Sequence, residues 1–449
     1  MSEAKYIEIA RSIESQIDIG HYAEGDKLPT HRALADEFGT TPMTIAKAYK
    51  LLTEKGRIES FVGRGSFVKV RTGLKRAIHS RPDDREWNFS ILQPCYAEHV
   101  EALHEQLQQS FSSLTNPTFY GYTEDSGLIE HRAAGMQWMQ HYGVQTRAPE
   151  QILLTNGAQH ALSILIELYT EPGDCIAVDR WTYPGILSIA SFLGRQVVGV
   201  AMDDQGMIPD ALTETCRRHK PALVILIPSH QNPTTITLSQ QRREQLAEVI
   251  QRYPLWLVED DIYAFLNTSA NQAITNLLPE KSFCISSLSK AVSPGLRCGY
   301  LKAPQSQVEK LAAYIRATVW LPPPLMFEVA GNLIESNQAF EMARKQREIA
   351  RRRQRLARRI LGGQSYCAQD TSYHLWLQLP GDWQADQFAL TARERGMLVS
   401  SGAYFNTCAD ETKSVRLSLI AISDESELER GLKALANLLE QESGSGPTG

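Results

Sequence analysis

Apolar residues recur every three to four positions through residues 3–19, at Ile7, Ala10, Ile13 and Ile17. That spacing predicts one amphipathic helix, ended by Gly20. Leu28-Pro29-Thr30 opens a second, shorter helix with Thr30 as its cap and Leu34 and Phe38 turned inward, closed by Gly39. Thr41 caps a third, which starts at Pro42 and buries Ile45, Ala48, Tyr49 and Leu52. Residues 58–70 then form two β-rich runs around Gly63-Arg64-Gly65, a hairpin. Two short helices with a tight turn, followed by a hairpin, predict a winged helix-turn-helix.

From about residue 120 short apolar runs alternate with helical segments, at 152–155, 174–178, 196–200, 223–227, 256–258 and 283–286. Such runs predict an α/β domain with a doubly wound, mainly parallel sheet, which binds ligands at its strand C-terminal ends. The chemically suggestive residues fall at those ends. They are Asn156-Gly157-Ala158, Asn232, Glu259-Asp260-Asp261 and Ser287-Leu288-Ser289-Lys290. Taken singly, each has a plainer reading as a turn, a helix cap or a surface lysine; their occurrence together and in order is what distinguishes them. Between the two regions, residues 72–88 read as a linker, and 443–449 read as a disordered tail.

Charge divides the chain at the same place. Residues 1–76 hold 13 Lys/Arg against 10 Asp/Glu, whereas the rest of the chain carries a net charge of −8. From 44 to 76 nine basic residues face only Glu54 and Glu59, so the hairpin end of the small domain suits a polyanion. No apolar run approaches the ~20 residues of a membrane helix. The first residues carry acids in a helical pattern and do not read as a signal peptide. Seven cysteines lie far apart without a C-x-x-C pair. These features predict a reduced, cytoplasmic protein with no zinc site and no disulfide framework.

In the first region, Gly-Asp-x-Leu-Pro-Thr-x-Arg-x-Leu-Ala (25–35), the Thr-Ile and Ala-Tyr pairs of the third helix, and Gly-Arg-Gly-Ser-Phe-Val (63–68) carry a resemblance. They resemble the GntR family of winged-helix transcription factors, and the likeness covers residues 1–70. It implies a double-stranded DNA operator as partner, with Arg32, Thr44, Lys47 and Gly65 as contacts. The third helix would enter the major groove, and Arg64 at the hairpin tip would meet phosphates or a minor groove. The family often has Arg early in the recognition helix, where this chain has Pro42.

The second region resembles the fold-type I pyridoxal-phosphate (PLP) aminotransferases from about 90 to 440. The matching motifs are Tyr-x-x-x-x-Gly (122–127), Asn-Gly-Ala-Gln (156–159), Asn-Pro-Thr (232–234), Asp-x-x-Tyr (260–263), Ser-x-Ser-Lys (287–290), Pro-Gly-Leu-Arg-x-Gly-Tyr (294–300) and Val-Arg-Leu-Ser (415–418). The resemblance implies a mainly parallel large domain and an α+β small domain. It makes Lys290 the catalytic lysine, covalently joined to the cofactor, and pairs Asp260 with the ring nitrogen. Asn232 and Tyr263 would bond the ring hydroxyl, and Tyr183 would stack on the ring. Gly157, Ala158, Gln159, Ser287, Ser289 and Arg297 would hold the phosphate. Tyr122 would reach the phosphate of a neighbouring subunit, and Arg416 would bind a substrate carboxylate. One departure is Thr235, where the family usually has glycine, so that loop is expected to differ in shape.

The order of the two regions resembles the MocR subfamily, the GabR-like regulators. It implies a DNA-binding domain at 1–71, an effector domain at 89–442, and a homodimer with crossed-over, domain-swapped protomers. The expected function is a PLP-dependent transcriptional regulator that senses an amino acid or amine through an external aldimine. The alternatives are a working aminotransferase with an attached DNA reader, and a regulator that senses PLP itself. The basic run at 344–359, with nine Lys/Arg and one acid, reads as a solvated helix face or as an accessory DNA surface.

Overall fold

The computed structural model describes residues 5–18, 21–22, 26–54, 57–61, 65–68, 86–96, 100–113, 120–122, 126–269, 271–408 and 410–440. The chain splits into two compact units, Met1–Lys75 and Arg76–Gly449.

In the first unit, helices Lys5–Asp18, His31–Glu37 and Pro42–Glu54 precede an antiparallel hairpin of Ile58–Phe61 and Gly65–Val68. Ile9, Ala10 and Ile13 of the first helix meet Leu34, Ile45, Ala48, Tyr49 and Leu52 in one core. Ile7 and Ile17, expected on the buried face, are only partly covered, and Ile9 takes the central place. Both expected caps form: Thr30 Oγ1 accepts from the Ala33 amide at 3.3 Å, and Thr41 Oγ1 from the Thr44 amide at 3.3 Å.

In the second unit a seven-stranded sheet has the order Ile152–Asn156, Cys298–Lys302, Ser282–Ser287, Trp256–Asp260, Leu223–Leu226, Cys175–Asp179, Gln196–Val200. All six apolar runs are strands of it. The seventh, Cys298–Lys302, runs antiparallel to both neighbours and was not legible as a strand. Its glycine and terminal lysine break the apolar signature that marks the others. Leu153, Val178, Ile225, Val258 and Ile285 pack on one face of the sheet; Ala177, Val224, Leu226 and Leu257 pack on the other. Burial on both faces is why these strands read as continuous apolar runs.

A second, antiparallel sheet of Tyr366–Cys367, His374–Gln378, Ser414–Ser418 and Ser400–Ser401 packs with helices Gln338–Leu361, Ala385–Glu394 and Glu425–Leu439. Trp87 and Asn88, the last residues of the stretch read as a linker, pair in parallel with Met397 and Leu398. Strand pairing therefore claims the end of that stretch; residues 71–85 and the tail at 443–449 lie outside the described residues. Among the described residues no helix is long and apolar enough to cross a membrane.

The basic run lies on helix Gln338–Leu361 and is tied largely to its own unit. Arg352 pairs with Glu425 at 2.7 Å, Arg358 with Asp370 at 2.9 Å and Arg359 with Glu429 at 3.3 Å. Arg353 is 1% exposed and donates to the carbonyls of Leu419, Ile422 and Ser423 at 2.8, 2.6 and 2.7 Å. Arg353→Ala strands those acceptors and should cost about 3 kcal/mol or more, whereas Arg359→Ala should change stability by less than about 1 kcal/mol. Urea midpoints of the two variants check this contrast.

Candidate functional site

A cavity of about 230 Å³ opens at the C-terminal edge of the parallel strands. The strand ends deliver its polar groups. Asp260 closes Trp256–Asp260, Ser287 closes Ser282–Ser287, and Gly157 joins Ile152–Asn156 to helix Ala158–Tyr169. Eleven of the residues singled out in the sequence line this one cavity: Ala158, Gln159, Tyr183, Asn232, Asp260, Tyr263, Ser287, Ser289, Lys290, Arg297 and Arg416. Gly157 lies beneath it at φ +79°, where an added Cβ would come within 2.6 Å of Arg297 Nη2. Glycine there lets the guanidinium lie across the turn and donate to Asn156 O at 2.8 Å.

Tyr122 is not brought to the cavity. It is 83% exposed, with its ring 5.3 Å from that of Trp320. Thr235 holds φ +68°, a conformation glycine adopts freely and a β-branched residue takes at a cost of about 1–2 kcal/mol.

Three charges define the electrostatics. Asp260 is 3% exposed, and its Oδ1 has no hydrogen-bond partner. Burial, then the neighbouring Asp261, pushes its carboxyl up to about 7, against the pull of Lys290. The Lys290 ammonium donates to Leu92 O at 2.6 Å. Enclosure by the cavity walls, then Arg416, pulls that amine down to about 8, against the pull of Asp260. Arg416 is buried and donates from Nη1 to Asn232 Oδ1 at 2.9 Å, and from Nη2 to Ser400 Oγ at 3.1 Å and to Ser90 O. Its Nε has no partner. Burial also raises the two phenols, Tyr183 to about 12 and Tyr263 well above the usual range.

The remaining lining came with no sequence signal. Ile91, Leu92 and Gln93 enter from the segment after Asn88, and Leu92 contributes a backbone carbonyl that any residue type could supply. Leu162, Ile227 and Ile262 complete the apolar walls.

These residues fit pyridoxal phosphate. The idle, buried Asp260 oxygen matches a pyridinium N–H, since an unpaired buried acceptor is otherwise costly. Helix Ala158–Tyr169 starts at Gly157 without a side-chain cap, and its free amides face the same space as Ser287, Ser289 and Arg297, a place for a phosphate. A lysine amine near neutrality suits a nucleophile for an aldehyde.

In the first unit, Arg32 and Lys47 are exposed. Thr44 is half-buried, its hydroxyl 2.9 Å from that of Thr41. Gly65 sits at φ +105°, and a Cβ there would press within 2.9 Å of Lys27 Cε. Arg64 lies outside the described residues.

Fold and site together define a PLP-dependent transferase unit of fold-type I joined in sequence to a winged helix-turn-helix. The family "Aminotransferase class I and II" matches residues 86–435, and "Bacterial regulatory proteins, gntR family" matches residues 5–68. The HTH-type transcriptional regulator YdeF of Bacillus subtilis is 30% identical, over 97% of this chain and 94% of that protein. The vitamin B6 salvage pathway transcriptional repressor PtsJ of Salmonella typhimurium is 27% identical, over 93% of this chain and 94% of that protein. Kynurenine aminotransferase of Pyrococcus horikoshii superposes with a TM-score of 0.74 at 22% identity, over 81% of this chain and 92% of that one, a likeness of fold. The chain belongs to the aminotransferase class I and II family and carries a gntR-type DNA-binding domain at its N-terminus, the architecture of MocR (GabR-like) regulators.

In protein freed of cofactor, acylation of Lys290 followed by peptide mass spectrometry should rise with pH through a midpoint of about 8. Arg416→Met should move that midpoint up, and Asp260→Asn should move it down. Shifts in the same direction would contradict this assignment of charges.

Proposed function

We propose that this protein is a PLP-dependent transcriptional regulator whose aminotransferase-like unit senses an amino compound and whose winged unit binds operator DNA in the cytoplasm. The observation that carries the reading is the convergence of Lys290, Asp260 and Arg416 on one cavity, in a chain that also holds a gntR-type reader. When bound, pyridoxal phosphate supplies an electrophilic carbon that exchanges one amine for another. Lys290 would hold the cofactor, and its lowered pKa would suit it to give way to another amine. Asp260 keeps a proton on the ring nitrogen. Asn232 and Tyr263 orient the ring edge, and Tyr183 covers the ring face. The Gly157–Gln159 turn, Ser287, Ser289 and Arg297 grip the phosphate. Arg416 takes the carboxylate of the effector and thereby draws on Ser90, Asn232 and Ser400, which it already touches.

The same reading includes a homodimer with exchanged domains. Its support is the exposure of Tyr120, Tyr122 and Trp320, large aromatic side chains at one place in the unit, where Tyr122 would serve a partner's cavity. On DNA, Arg32, Thr44, Lys47, Arg64 and Gly65 form the contacting set, with Thr44 working partly through the cap it shares with Thr41.

A spectral titration of the holo protein with amino acids, run beside operator binding, tests the sensing step. The effective compound should change both signals together, with operator affinity shifting by roughly 5- to 150-fold. Lys290→Ala should abolish the visible absorbance of bound cofactor, borohydride trapping and the affinity shift; a variant that still responds rejects the proposal. A second reading, suggested by the relative PtsJ, a vitamin B6 salvage pathway repressor, makes PLP itself the signal. There, holo and apo protein would differ in operator affinity with no amine present. Lys47→Ala should weaken binding to all sequences alike and reduce the slope of log affinity against log salt by about 1. Loss confined to one base position would instead make Lys47 a base reader.

A further inference from the structure

A second cavity, of about 310 Å³, lies in the aminotransferase-like unit and is lined by Thr146, Arg147, Gln151, Asn276, Glu280 and Lys302 among others. It is separate from the cofactor cavity. Strand Cys298–Lys302 starts beside Arg297 and runs antiparallel to its neighbours, so Lys302 ends at the opposite edge of the sheet. The five residues of that strand put the two sites roughly 17 Å apart, at about 3.4 Å per residue.

Lys302 is 3% exposed, yet its ammonium is poorly satisfied. Nζ donates to Thr275 Oγ1 at 3.3 Å. The direction of the rest of that chain is fixed by its end: Ser282 Oγ donates to Leu278 O at 2.6 Å, so Thr275 donates to Ser282 across 2.7 Å and accepts from the lysine. This uses one of three ammonium hydrogens. The nearby Glu259 carboxylate is occupied by the amides of Ile274 and Thr275, at 2.9 and 2.8 Å, and by Arg243. Among the described residues no carboxylate pairs with Lys302. Burial pulls its amine below the ordinary lysine range, as expected of a cation short of partners.

Two more groups point the same way. Arg147 is exposed, and its guanidinium makes no bond to any described residue; only its amide is engaged, by Gln151 Oε1 at 3.0 Å. Thr146 Oγ1 is buried without a partner. The cavity thus combines an underused buried ammonium and a free guanidinium, against Glu280 as its one acid. A carboxylate would take charge-assisted bonds from Lys302 and Arg147 at once, which offsets the cost of burying the lysine.

We propose that this cavity is a binding site for a small organic acid, recognised through its carboxylate by Lys302 and Arg147 and independent of the cofactor site.

Calorimetry of the full-length holo protein with succinate tests it, because succinate has no amine to exchange at the cofactor. Saturable binding with Kd near or below about 1 mM is expected. It should weaken at least tenfold in Arg147→Gln, vanish in Lys302→Met, persist in Arg416→Lys and leave the cofactor spectrum unchanged. Arg147 is at the surface, so that variant remains informative if Lys302→Met fails to fold. Absence of binding to the wild type would mean that water fills the cavity and would overturn the proposal. Binding abolished by Arg416→Lys but untouched by Arg147→Gln would place succinate in the cofactor cavity and overturn it equally. Neither result removes the regulator reading, which is tested separately by Lys290→Ala and operator binding.

Discussion

Asp260 ends a fully buried strand with a carboxylate oxygen that no described residue engages. Burial alone would neutralise such a group, and its carboxyl is indeed pushed up to about 7. Lys290, in the same enclosure, is pulled down to about 8. The two shifts share one cause, the cost of charge in an apolar cavity, and each group partly relieves the other. A ligand that brought a protonated ring nitrogen and an aldehyde would satisfy both, which ties cofactor binding to the electrostatic cost of burying these two groups.

Arg416 extends that balance to the rest of the unit. Its guanidinium joins three segments far apart in the chain: Ser90 in the arm after strand Trp87–Asn88, Asn232 beyond strand Leu223–Leu226, and Ser400 in the second sheet. Phe405 lies 5.0 Å from it, as a cation–π neighbour. Any anion that bonded Arg416 would have to compete with some of these partners. A local exchange of hydrogen bonds would thereby become a force between segments, and a sensor needs such differential contact to shift one state against another.

Most of the fold was legible because its determinants are local. The caps at Thr30 and Thr41 act within three residues, and the core face of helix Pro42–Glu54 follows from spacing alone. Six of seven strands announced themselves by apolar runs, since both faces are buried. The site was legible in a different way. Single residues such as Lys290 carried little weight, but seven motifs in order sufficed, and most of their residues meet in one cavity. Tyr122 stands apart from it, exposed beside Trp320.

By itself, then, the sequence determined the two-unit order, the local elements, and the cofactor chemistry, through short-range spacing and motif order. Tertiary structure alone decided which groups share an enclosure. The bond from Lys290 to Leu92 O spans 198 residues and uses a carbonyl that every amino acid possesses. Arg353 looked like any member of a basic run until packing buried it against three carbonyls. Lys302 became a cation short of partners only when an antiparallel strand carried it to the far edge of the sheet. In each case the decisive quantity is burial together with the supply of hydrogen-bond partners, and both depend on where distant segments come to rest.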